Sequence, residues 1–460
     1  MNETETGPTF RGRAISAAIR TGRLSSESAP LAAFVDLDGL EANVQALGRA
    51  FSRALPPGTP VLHAFAVKAH SEIPMLRELH DMGMGCEVAS EGELAQALAA
   101  GVPPHMIVFD SPAKSRSELV WAISTGVSVN ADSFQELDRI TEILSSAEER
   151  TSDSCNPAVP GEARGSVFGV RINPQSGLGA IAAMSTAGTH SKFGIPLRDS
   201  GNRERLVSAF LNRPWLSRVH AHVGSQGVPV ALAADGIAAI VEFADEVNRR
   251  AKRSQVTSID IGGGISVDFS REDPFTDWDG YVKELRERVP RLFSGEFGII
   301  TEFGRGVLAK FGWIAAFVEY TKVADGRAIA ITHAGAQVAT RTTFMPEAWP
   351  IRVEARDPQG ALLTGAPVMS DIAGPCCFAG DLVASERPLP PITPGDIVTL
   401  LDTGAYYAST GFRYNSLLEP GIYGIRRCGD ELSFSTIRAP ETLETLLTRT
   451  PLSSQEKGQS

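Results

Sequence analysis

The sequence lacks most of the features that would mark it for a membrane, a nucleic acid or an oxidising compartment. No apolar run approaches the roughly 20 residues that span a bilayer. The first residues, MNETETGPTFRGRAIS, are polar and have no apolar signal-peptide core. Positive charge is not in excess: 43 Lys and Arg stand against 54 Asp and Glu, a formal net charge of −11. That argues against a nucleic-acid or anionic-membrane partner, since either favours a basic face. Five cysteines in 460 residues, with Cys376 and Cys377 adjacent and no CxxC pair, make neither a disulfide framework nor a structural zinc site. The eight histidines show no HExxH or comparable spacing. The nearest approach is HAH at 220–222, whose rings would share one face of a strand. No third ligand lies nearby in sequence, so no metal is expected. There is no internal repeat of short fixed period. A cytoplasmic protein is the expectation.

What is present is material for a core. Hydrophobic residues make up 43% and charged residues 21%, enough for a globular interior, and the length suits two domains. Eight short apolar runs rich in β-branched residues recur between 61 and 302: VLHAFAV, GCEV, IVFD, VSVNA, VFGVRI, SRVHAHV, TSIDI and GIITE. Between them lie stretches such as IPMLRELHDMG and DGYVKELRERV, with apolar residues three and four apart. Repeated βα units imply a parallel sheet, and eight of them in this length imply a (β/α)8 TIM barrel over 36–305. An open doubly wound sheet is the alternative. After Arg305, PIRVEAR, DIVTLLD and ELSFSTIRA alternate apolar and polar residues between Gly- and Pro-rich turns. This predicts a C-terminal antiparallel β-domain over 306–447, joined by the N-terminal segment 1–35. The polar stretch 146–166 reads as a surface loop, and 448–460 as a disordered tail.

Barrel active sites sit where the strands end. Lys68 ends the first strand and Glu87 the second. Arg171 ends the fifth, His222 and Ser225 follow the sixth, Gly262, Gly263 and Gly264 the seventh, and Glu302 and Arg305 the eighth. A lysine ending an apolar strand is partly desolvated and nucleophilic towards an aldehyde. Glycine amides approach a phosphate closely, and Arg305 adds charge-assisted hydrogen bonds. A carboxylate such as Glu302 keeps a pyridinium nitrogen protonated, making the ring an electron sink. Each feature alone has a plainer explanation: a surface lysine, a tight turn, a structural ion pair. Together on one rim they suit a phosphorylated cofactor that forms an imine with lysine.

At this point the chain resembles a known family, the fold-type III pyridoxal-5′-phosphate decarboxylases, which include diaminopimelate, ornithine and arginine decarboxylases. The resemblance runs from about Ala33 to Gly424. It is carried by HAFAVKAH, GCEVASEGEL, VRINP, SKFGIP, HAHVGSQ, DIGGGI, TEFGR, GPCCFAGD and DTGAYYASTGFRYN, and is strongest to diaminopimelate decarboxylase. It implies that Lys68 anchors pyridoxal phosphate, His222 stacks on its ring and Glu302 holds its pyridine nitrogen. Arg171 would lie near its phenolic oxygen. Ser225, Gly262, Gly263, Gly264, Arg305 and Tyr406 would bind its phosphate. It also implies a homodimer with shared sites, in which Cys377 from the second subunit protonates the carbon that loses carbon dioxide.

Three departures bear on substrate. Glu87 replaces the family's usual Asp. Phe378 follows the cysteine where an acidic residue normally receives the substrate's distal amine. The segment that carries an Arg-Pro substrate clamp reads THAGAQVATRTTFMPEAWP, in which Arg341 is the candidate replacement. Asp371 and Asp381 are the nearby acids left to meet an amine. Two alternatives share the barrel. An amino-acid racemase would set an arginine against the pyridine nitrogen, which Glu302 opposes. A non-catalytic pyridoxal-phosphate-binding barrel would lack the β-domain and its GPxC and GAY motifs.

Overall fold

Short buried strands alternate with amphipathic helices through the middle of the chain, and a second set of strands follows. The computed structural model describes residues 7–152, 165–180 and 185–449. After β1 (Leu31–Asp36) come β2 (Val61–Ala66), β3 (Gly85–Val88), β4 (Ile107–Phe109), β5 (Ser128–Ala131) and β6 (Phe168–Asn173). Then follow the two-residue β7 (Ile195–Pro196), β8 (Leu216–His220), β9 (Ser258–Asp260) and β10 (Gly298–Thr301). The sheet runs β5-β4-β3-β2-β10-β9-β8-β6 and closes through a β5–β6 pairing. Every ladder is parallel. This is the expected TIM barrel, with eight strands in the ring. The strands are buried on both faces, which is why they read as apolar runs.

Local signals fix the helices between them. Ser115 Oγ accepts the Glu118 amide (3.2 Å) and the Glu118 carboxylate accepts the Ser115 amide (2.6 Å). This reciprocal cap starts the helix Arg116–Thr125, and Gly126, at φ 87°, ends it. Leu62, Ala64, Val108 and Ile300 form an apolar cluster low in the barrel, below the chemistry-bearing strand ends. One expectation is corrected: the helix that begins at Phe134 continues to Ser152. The residues SAEER are polar yet good helix formers, and the first true breaker is Pro157. The remainder of that proposed loop, 153–164, lies outside the described residues, as does the proposed tail from 450 on.

Two compact units emerge. One comprises 40–268 and 273–309; the other takes the chain up to Gly39, 269–272, and from Lys310 on. The second unit is built on a nine-stranded sheet. Its strands are β1, β11 (Gly312–Ala324), β12 (Arg327–Thr332), β13 (Val353–Arg356), β14 (Val368–Ala373), β15 (Leu382–Leu389), β16 (Ile397–Leu401), β17 (Gly421–Cys428) and β18 (Glu431–Arg438). Most ladders are antiparallel, as alternation suggests. Two are parallel, β1 with β17 and β12 with β14. The helix Pro8–Arg20 lays Phe10 against Phe34, Trp313 and Tyr423 in this unit's core.

Candidate active site

The first barrel strand delivers Lys68 in a short 3-10 turn, Val67–Ala69. Its Nζ donates to Glu87 Oε2 at 2.6 Å. The lysine side chain is 42% exposed and the glutamate 1%, so the desolvated member is the acid rather than the amine, contrary to expectation. Burial pushes the Glu87 carboxyl up from its ordinary range, against the pull of Lys68. The extra methylene of Glu over Asp lets β3 reach the amine from a fully buried position.

Around the rim the buried charges interlock. Arg171, on β6, donates to Asp110 Oδ2 at 3.1 Å, and its guanidinium lies 4.5 Å above the Phe193 ring. Burial alone would raise the Asp110 carboxyl, but His220 and Arg171 outweigh it and hold it below the usual carboxylate range. His222 accepts the Gly263 amide on Nδ1 at 3.0 Å. Burial, with Arg171, Lys68 and His220 around it, drives the His222 pKa well below its ordinary value. The ring is therefore neutral, with its proton on Nε2. Glu302 is buried, and its Oε1 has no hydrogen-bond partner among the described residues. Burial and neighbouring Asp260 raise this carboxyl well above the ordinary range, with His220 opposing.

In the glycine turn after β9, two of the three amides are already engaged. Gly262 donates to Asp260 Oδ1 at 3.1 Å, and Gly263 to His222. The amide of Gly264 has no acceptor among the described residues. Space is the turn's main contribution. A Cβ on Gly264 would fall 1.9 Å from the Gly224 carbonyl, next to Ser225, and one on Gly263 would fall 2.2 Å from the Glu302 carbonyl. Arg305 opens the short helix Arg305–Leu308 and is buried. The barrel unit thus gathers Lys68, Glu87, Arg171, His222, Ser225, Gly262, Gly263, Gly264, Glu302 and Arg305 at its strand ends.

Sequence reasoning passed over Asp110, Arg218, His220 and Asp260, all buried. Their signal was available. Residues two apart on a strand share a face, so 218, 220 and 222 line one side of β8 and its extension, and Asp260 lies two before Gly262. The two histidines of HAH have separate partners, carboxylates for His220 and the Gly263 amide for His222.

The remaining candidates belong to the other unit. Cys377 is exposed, and its amide donates to Asn415 Oδ1 at 2.8 Å. The Phe378 ring stacks on Phe344 (5.6 Å, 3°) and meets Tyr414 edge-on (5.8 Å, 85°); Phe412 completes a four-ring shelf. Asp381, expected as a substrate group, instead ties the loop together. It accepts the Ala336 amide on Oδ1 and the Cys376 amide on Oδ2, each at 2.6 Å. Asp371 accepts the Glu386 amide at 2.7 Å and pairs with Arg327 at 3.4 Å. Arg341, on the helix Ala336–Phe344, lies over Tyr406 (4.5 Å) and Trp349 (5.2 Å). Its Nη1 is buried with no hydrogen-bond partner among the described residues. Tyr406 sits at φ 64°.

A barrel rim carrying an amine, an orphaned buried carboxylate and a glycine turn defines a class, and the relatives specify it. The family model for the pyridoxal binding domain of pyridoxal-dependent decarboxylases matches residues 41–309. The chain belongs to this family and is a pyridoxal-phosphate-dependent amino-acid decarboxylase. A diaminopimelate decarboxylase of Pseudomonas aeruginosa is 30% identical over 376 residues, spanning 82% of this chain and 83% of that one. The Pseudomonas fluorescens enzyme of the same name is 30% identical over 404 residues, 86% and 90% of the two chains. Among solved structures, a diaminopimelate decarboxylase from M. jannaschii matches 95% of this chain and 94% of its own, with TM-score 0.80 and 22% identity. A Vibrio vulnificus lysine/ornithine decarboxylase complexed with putrescine matches 91% and 99%, with TM-score 0.70 and 19% identity. The residues present fit the cofactor. The orphaned Glu302 Oε1 and the unpartnered Gly264 amide are where a ring nitrogen and a phosphate would find partners, and Lys68 supplies the amine.

Proposed function

We propose that this enzyme decarboxylates an amino acid whose distal group is apolar, neutral or anionic rather than a free amine. When bound, pyridoxal phosphate accepts the electron pair that carboxylate loss leaves on the α-carbon. The chain's own residues do the rest. Lys68, steered by Glu87, would anchor the cofactor. Glu302 would hold the pyridine nitrogen. Arg171, locked by Asp110, would serve the phenolic oxygen. His222, held by the Gly263 amide, would present a neutral ring face. Ser225, Gly264 and Arg305 would bind the phosphate. In a cytoplasmic homodimer, Cys377 of the partner subunit would supply the thiol proton that replaces the lost carboxylate.

The observation that carries the substrate reading is Phe378 and the state of the acids near it. Phe378 is packed in an aromatic shelf, while Asp371 and Asp381 are already engaged by backbone amides and Arg327. A buried ammonium without an anionic partner costs several kcal/mol. An aromatic face returns only about 0.5–2 kcal/mol. Arg341, with Nη1 unpartnered, suits an anionic distal group instead.

The test is carbon dioxide release from holoenzyme across a panel of D- and L-amino acids. Lysine, ornithine and diaminopimelate are expected to be poor substrates, and Phe378→Glu to improve them relative to the native one. Efficient turnover of diaminopimelate or ornithine by the unmodified enzyme would overturn the substrate reading.

A further inference from the structure

The barrel interior holds more buried charge than these roles use. Its centre is His220, on β8, with no solvent exposure. Nε2 lies 2.9 Å from Asp110 Oδ2, and Nδ1 lies 3.2 Å from Asp260 Oδ1 and 3.9 Å from Glu302 Oε1. Carboxylates therefore flank both ring nitrogens at ion-pair distance.

A neutral imidazole has one N–H and one lone pair. Either tautomer would press that lone pair against a buried carboxylate oxygen. Other donors also reach these carboxylates and favour their charged forms. Asp110 Oδ2 accepts from Arg171 at 3.1 Å. Asp260 accepts the Gly262 amide on Oδ1 and Asn130 Nδ2 on Oδ2, each at 3.1 Å. A doubly protonated ring places positive charge between carboxylates on both sides at ion-pair distance, without hydrogen-bond geometry at either nitrogen. The surrounding charges agree in direction: burial lowers the His220 pKa, but Asp110, Asp260 and Glu302 together hold it well above its ordinary value. A metal ion is the competing occupant, since Asp110, His220 and Glu302 offer ligand atoms within 4.8 Å of one another. Arg171 is already bonded to Asp110, and the charge of Arg218 acts on Asp260 and Glu302, so the cluster has its cations.

We propose that His220 is a positioning residue that, as a standing imidazolium, draws Glu302 towards its anion, so that the shared proton shifts towards the cofactor's ring nitrogen and away from Glu302. Burial, Asp260, Glu87 and Asp110 together hold the Glu302 carboxyl well above its ordinary range, and His220 opposes them. The proposal rests on the reading that Glu302 pairs with the pyridine nitrogen.

The experiment is nitrogen-15 NMR of holoenzyme carrying pyridoxal phosphate labelled at the ring nitrogen. The unmodified enzyme should show a protonated ring nitrogen. Both Glu302→Gln and His220→Gln should lose that proton. His220→Gln should keep its cofactor and lose turnover about 10- to 100-fold, as when a partner behind a metal ligand is removed. Loss of the ring proton in Glu302→Gln but not in His220→Gln overturns the proposal and leaves the Glu302 pairing intact. Retention in both overturns the pairing, and the proposal with it. Should His220→Gln fail to fold, histidine-labelled unmodified holoenzyme decides. One histidine should stay doubly protonated at a pH well above the ordinary histidine range. Its absence overturns the proposal.

Discussion

His63 lies on barrel strand β2, yet belongs to the packing. Its ring meets Phe51 edge-on and its Nδ1 sits 2.9 Å from Thr301 Oγ1. Burial lowers its pKa from 6.5 to about 4. A base whose folded pKa is depressed binds fewer protons folded than unfolded inside that window. Stability should therefore fall as pH drops from about 6.5 to about 4, by on the order of 2–3 kcal/mol from this one site. His63→Gln should flatten that part of the stability–pH curve in denaturant titrations; an unchanged slope would mean the ring is already charged when folded. The contrast with His220 shows what single residues reveal in a sequence. Lys68 and Glu302 were legible because they end apolar strands, where polar groups have no packing reason to be. His63 and His220 look alike in sequence. Burial alone sets His63 towards its neutral form, while His220 is drawn towards its charged form by Asp110, Asp260 and Glu302, 40 or more positions away.

Elements were easier to read where burial is symmetric. The eight ring strands are visible because strands covered on both faces carry apolar residues on each, even where Glu87, Asn130, Arg218, His220 and Asp260 interrupt them. The helix after β5 runs on through a polar segment, and polarity there accompanies helix rather than irregular chain. The parallel ladders of the second sheet were invisible because register between distant strands leaves no local mark. The glycine turn was recognised, but as a donor of amides rather than a place where three loops converge. That distinction can be tested. Gly264 has φ 111°, and a Cβ there would strike the Gly224 backbone. Gly264→Ala should cost about 2 kcal/mol or more and weaken cofactor retention. Gly48, inside the helix Leu37–Ala54, has nothing within 4 Å of an added Cβ. Gly48→Ala should raise stability by about 0.5–1 kcal/mol. Urea midpoints of the two variants should move in opposite directions, and a shift of the same sign would show that crowding at the turn is not the controlling factor.

At the scale of the whole molecule, the sequence separates its chemistry. The groups proposed to hold the cofactor's ring lie in the barrel unit, while Cys377, the proposed proton donor, lies in the other. Symmetric pairing of two copies would let each barrel receive its cysteine from the partner, and a two-fold makes both sites identical. This predicts complementation. Lys68→Ala lacks the anchor and Cys377→Ala the proton donor, so each variant should be inactive, or nearly so, by itself. In a mixed dimer, one site combines both lesions and the other has neither. With random exchange half of all dimers are mixed and each carries one intact site of two. Activity should therefore return to about a quarter of the unmodified enzyme's. If Lys68 and Cys377 instead served a site within one chain, every site in every dimer would keep one lesion. Mixing would restore nothing, even after subunit exchange is demonstrated by differently tagged chains.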